Sequence, residues 1–104
     1  MDLDRFRASL AAPAPPPGMA GALAALWWDA RGDWARAHEA AQADPTPAGA
    51  AAHAYLHRKE PDPANARYWY ARAGRAPAHG PAEAEWTALA QELLAGLSIN
   101  GGTP

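Results

Sequence analysis

His53 and His57 stand four residues apart in "HAYLHR", a spacing that on a helix sets two imidazoles about 5 to 6 Å apart on one face. Two histidines so placed suit a shared divalent ion such as zinc. The zinc-protease pattern is not met, because the residue after the first histidine, the general base of that motif, is Ala54 here. His38 offers a third imidazole. If the helices flanking "DPTP" form an antiparallel pair about a turn between Pro45 and Thr46, residues equidistant from the turn share a level, which pairs His38 with His53 and Trp34 with His57. Glu39 or Glu60 would then be the fourth ligand. The competing reading makes these histidines core residues whose ring nitrogens need only ordinary hydrogen-bond partners. On the sequence the core reading leads and no cofactor is expected; zinc or another divalent metal held by His38, His53 and His57 is the alternative.

Tyr68, Trp69 and Tyr70 raise a different chemistry. Neighbours on a helix are 100° apart, so the three rings cannot all face inward. Tyr68, Arg72 and Arg75 share one face, and Tyr68 with Arg72 is expected to form a partly exposed stacked pair. Arg58, Lys59 and Arg67 would extend the patch toward a protein partner or a small anionic ligand, unless the arginine stems simply cover aromatic surface. Other catalytic classes find little support. Cysteine is absent, which removes disulfides, thiolate nucleophiles and cysteine-ligated metals. Ser9 and Ser98 have no histidine near them in sequence, and no glycine-rich phosphate loop is present. Glu83 and Glu85 are accounted for by the positive end of a helix.

The elements that must position these residues are helical. Thirty alanines, one isoleucine and no valine leave almost nothing from which to build strands, so the fold is expected to be all-α, with tryptophan and leucine supplying the bulk that alanine lacks. Asp2 caps a first helix carrying Leu3, Phe6 and Leu10, and "APAPPPG" at 12–18 reads as a linker. Further helices are predicted near 19–31, 33–43, 48–59, 63–73 and 82–97, the last with Pro81 at its first turn and a stripe of Trp86, Leu89, Leu93 and Leu97. Trp27, Trp28 and Trp34 are assigned to the core, and "NGGTP" to a frayed tail. The 104 residues make one domain: an N-terminal helix at 1–11, the linker at 12–18, a core at 19–76, and a capping helix with tail at 77–104. A formal charge of -2 with mixed signs argues against nucleic acid, and no stretch approaches the roughly 20 apolar residues of a membrane span. A cytoplasmic location is expected by default, since the opening residues do not read as a secretory signal.

Shifting the chain by 29 residues lays Asp33 on Asp62, Ala37 on Ala66, Ala25 on Ala54, Trp27 on Leu56 and Trp28 on His57. "AALWWDARGDWARAHEAA" resembles a tetratricopeptide helical hairpin, with Ala25 facing Ala37 and Ala54 facing Ala66 as the small positions. The resemblance implies two short hairpins over 19–76, capped by the first and last helices, though 29 residues is shorter than the usual repeat of about 34. Over the same span, "LWWDARGDWARAHE" followed by "HAYLHRKEPDPANARYWYARAGR" is similar to a family of small bacterial and fungal helical proteins with GDW and HAYLHR, NA, YWY, RAG segments. Pro61 departs from that pattern, standing where a glycine is expected. The family resemblance implies no activity, cofactor or catalytic residue. The leading expectation is therefore a non-enzymatic tetratricopeptide-like binding or scaffold module. A metal protein using His38, His53 and His57 is one alternative, and a homodimeric module without a ligand is another.

Overall fold

Residues 49–57 are buried without interruption, which a helix achieves only when other helices surround it. This helix, α4 (Pro47–Lys59), is the axis of the protein. Its small residues Ala50, Ala51, Ala52 and Ala54 let neighbours approach closely, while Tyr55 and Leu56 supply volume. The computed structural model describes residues 1–102, with side chains to residue 96. Six helices and no strand are found among the described residues: α1 (Leu3–Ser9), α2 (Gly21–Ala30), α3 (Trp34–Gln42), α4, α5 (Pro63–Ala73) and α6 (Ala82–Gly102). α4 packs against α2, α3, α5 and α6; α2 also packs on α3 and α6, and α1 closes on α6.

Capping explains where these helices begin. Asp2, Asp33, Thr46 and Asp62 each accept a hydrogen bond from the backbone N–H three residues on, and Gly74 stops α5 with a left-handed φ of 72°. Pro47 and Pro63 occupy first turns, where no N–H is required. Pro81 lies one residue before α6 rather than inside it, and its carbonyl accepts the N–H of Ala84.

The core joins α1, α2, α4 and α6 through Phe6, Leu26, Trp27, Tyr55, Leu56, Trp86, Leu89 and Leu94. Trp27 Nε1–H donates to Ser9 at 3.0 Å, and Trp86 Nε1–H donates to the Leu26 carbonyl at 2.9 Å, so both buried indoles are satisfied. Three core expectations need correction. Trp28 and Trp34 are only half-buried, because each sits at the margin of a helix pair. On α6 the buried stripe runs through Trp86, Leu89, Ala90 and Leu94 with Leu93 half-buried, since α6 turns Leu94 toward the core; the Leu97 side chain lies outside the described residues. Of the expected tail, residues 100–102 continue α6, and residues 103–104 lie outside the described residues. No described helix is long and apolar enough to cross a membrane.

Candidate metal centre

α3 presents His38 to α4 at the level of His53, with Nε2 to Nε2 only 2.9 Å apart. One turn along α4, His57 lies within 5.2 Å of His38 and 4.8 Å of His53, measured between ring centroids. One nitrogen from each ring falls within 4.8 Å of the others, a grouping from which small movements would bring all three onto one ion. The turn-centred pairing of α3 with α4 is thus what the structure contains, down to Trp34 at 5.9 Å from His57.

The rings are held from several sides. Trp34 stacks on His38 at 4.9 Å and is itself fixed by donating its indole N–H to the Leu56 carbonyl at 3.2 Å. From α5, Trp69 stacks on His53 at 3.9 Å. His57 Nδ1 is 2.8 Å from a Glu60 carboxylate oxygen. If that nitrogen carries the proton, His57 Nε2 keeps its lone pair free, the arrangement by which a carboxylate orients a metal-binding histidine.

His53 is the anomaly. It is 3% exposed, yet its Nδ1 has no hydrogen-bond partner. The bond to His38 does not resolve this: whichever Nε2 donates, His53 Nδ1 is left as an unpaired lone pair or an unpaired N–H. Burial, followed by the neighbouring His38 and His57, pushes the His53 pKa down to about 4, and burial with His57 lowers that of His38. Both rings are therefore neutral at pH 7, the protonation state a metal requires of its ligands.

Histidine nitrogens bind zinc at about 2.0 to 2.1 Å, so two of them 2.9 Å apart subtend about 90° at a shared ion. A tetrahedral angle needs a separation of about 3.3 to 3.4 Å, a movement of about 0.4 Å. The half-buried His38 is the ring with room to make it. Glu39 is exposed and outside the cluster. Glu60 joins a second group with His57 and Asp62, and is an orienting carboxylate rather than a member of the three-histidine set.

The tyrosine and arginine candidates are distributed differently. Tyr68 is 52% exposed, Arg72 donates to its hydroxyl at 3.2 Å, and the guanidinium lies over both Tyr68 and Trp69. Arg67 is exposed on the same helix. Arg75 is drawn to Glu92 on α6, and Arg58 to Glu85 at 2.9 Å and the Gly80 carbonyl, so neither extends the Tyr68 surface. Lys59 is held by the buried Asp29 at 2.9 Å. Glu85, assigned from the sequence to the helix dipole alone, also accepts from the Tyr70 hydroxyl at 2.6 Å.

A concavity of about 1190 Å³ lies elsewhere, between Arg7, Asp29, Tyr55, Lys59 and Trp86. Several of its polar groups satisfy one another: Tyr55 and Lys59 donate to Asp29, and Arg7 donates to Thr87. Burial and the bond to Asp29 raise the Tyr55 pKa, and the phenol stays protonated. The histidine cluster holds the buried side-chain atom without a hydrogen-bond partner among the described residues, His53 Nδ1. Sequence reasoning reached its three imidazoles but not Trp69 or Asp62, which come from α5 and its cap. No protein-family model, curated protein or solved structure matches this chain.

Proposed function

We propose that this protein is a small helical-hairpin module that binds one late first-row divalent metal ion, zinc or copper in class, through His38, His53 and His57. The observation that carries the reading is the meeting of three imidazoles from two helices, His38 and His53 facing each other through Nε2 at 2.9 Å with His57 one turn along and both α4 rings buried. Imidazole suits these metals, and the ligand set contains no thiolate that could itself be oxidised. The architectural side of the proposal treats α2 with α3 and α4 with α5 as two short tetratricopeptide-like hairpins, capped by α1 and α6. The 29-residue self-similarity and the packing of each pair support it. The likeness of the GDW and HAYLHR segments to the bacterial and fungal family is part of the same reading, since those segments carry all three histidines. The cytoplasm is its expected setting.

Tag-free protein loaded with zinc and freed of excess metal should retain about one ion per chain. Chelation should lower its melting temperature. His38→Ala, at the least buried of the three positions, should abolish retention while leaving the fold intact. The losses in affinity from His38→Ala and His53→Ala should not add, because either breaks the same site. Protein that retains no ion and melts identically with and without chelator would return the cluster to the core reading. A second reading, contact with a protein partner or small anion through α5, is favoured by the exposed Tyr68 and its pairing with Arg72.

A further inference from the structure

We infer that the metal held by His38, His53 and His57 keeps a coordination position open for an exogenous small monoanion. The inference rests on the metal reading above and specifies what that centre takes as its own ligand.

Ligand supply comes first. The metal-spaced group contains three imidazoles, and cysteine is absent from the chain. Among the described residues, the carboxylate nearest the cluster, Glu60, is already engaged with His57 Nδ1 at 2.8 Å. Turning Glu60 onto the metal would leave His57 without the partner that fixes its ring. Three protein ligands with the remaining position taken from outside is the pattern of reactive zinc sites, whereas structural sites are closed by a fourth side chain.

Charge then decides what fills the position. Three neutral histidines leave a divalent ion with its full charge of two, in a place where His53 and His57 are 3% and 5% exposed. Glu60, one hydrogen bond away, offsets one of those charges. Asp62, the other carboxylate grouped with His57, accepts the Asn65 N–H at 3.2 Å and is balanced by the positive end of α5 that it caps. The residual positive charge sits among poorly solvated rings, where Coulomb attraction is strong, and one monoanion balances it. Size follows from the walls. Trp34 covers His38 and Trp69 covers His53, which leaves little free space beside either ring. Access is from the side of the half-buried His38, for a ligand of a few atoms: hydroxide, azide, cyanate or a short carboxylate.

Cobalt(II) in place of zinc makes the coordination sphere visible. Cobalt-loaded protein titrated with sodium azide should show a saturable change in its ligand-field spectrum, with one azide per metal. Glu60→Gln, a change at an exposed side chain, should weaken metal retention roughly 10- to 100-fold yet bind azide several-fold more tightly, because one compensating charge is gone. A wild-type spectrum indifferent to azide would overturn the inference while leaving the metal site standing. If Glu60→Gln then gained azide sensitivity, Glu60 itself would be identified as the ligand that closes the sphere. Failure of the wild type to take up cobalt is a separate result, and it removes the metal reading together with this one.

Discussion

His53 combines deep burial with an unpartnered ring nitrogen in one side chain. Its ordinary pKa of 6.5 is pushed to about 4, first by burial and then by His38 and His57. In the unfolded chain the ring takes up a proton near 6.5, while in the folded metal-free chain it refuses one until about 4. The unfolded state therefore binds more protons throughout that window. Stability of the metal-free protein is fully present above pH 6.5 and falls as the pH is lowered toward 4, by up to about 1.4 kcal/mol per pH unit for this one proton. Urea denaturation at pH 7 and pH 5 should show the lower stability at pH 5, and a His53→Gln variant, which does not titrate, should show a smaller difference. Equal pH dependence in the two proteins would mean that His53 is protonated as easily folded as unfolded. A bound metal sharpens the effect, since protons compete for the same nitrogens.

α4 is the element on which both the core and the cluster depend, and its start is fixed by Asp44. That carboxylate accepts the Ala22 N–H at 3.0 Å, at the start of α2, and the Thr46 N–H at 2.9 Å, at the start of α4. Burial alone would raise its pKa, but the bonds from Thr46 and Ala22 outweigh burial and hold it below the usual value. Gly49 lies directly against this turn. A Cβ at Gly49 would overlap the Asp44 carbonyl oxygen and stand 2.6 Å from the Asp44 Cβ. Glycine to alanine inside an open helix stabilises by about 1 kcal/mol, so only this contact can reverse the sign. Gly49→Ala is expected to lose about 1 to 3 kcal/mol in chemical denaturation, the usual cost of overpacking. A gain would show that the α2 and α4 starts move apart freely. The register of His53 and His57 against His38 depends on that not happening.

At the scale of the whole molecule, the six helices of the described residues fill a body of 36 by 33 by 25 Å, and among their aromatic side chains Tyr68 alone is exposed. Tyr68 is 52% exposed because its neighbours on α5 take the inward directions: Tyr70 packs beside Ala54 and Ala66, and Trp69 lies on His53. Replacing Tyr68 and Arg72 together by alanine should change the melting temperature little, since neither side chain fills the core. If the α5 face is an interface between copies, sedimentation of the native protein should show self-association that the double variant lacks. A double variant that unfolds would mean that this pair supports Trp69, and through it His53, rather than offering a surface.

The amino-acid sequence determined the helical class and the cap at Asp2, and the caps found at Asp33, Thr46 and Asp62 and the stop at Gly74 follow the same local rule, because each depends on groups a few residues away. It also determined that His38, His53 and His57 meet, since two helices joined by a short turn place residues by simple counting outward from it. Tertiary packing alone decided the rest. Which leucine of α6 points inward depends on how that helix leans on α2 and α4, a rotation that heptad spacing does not set. Trp69 reaches His53 only because α5 folds back on α4, and Arg58 and Arg75 leave the expected patch only because α6 brings Glu85 and Glu92 to them. The unsatisfied nitrogen of His53 is the sharpest case. Whether a buried ring finds two partners or one depends on every group packed around it, and those groups come from three helices.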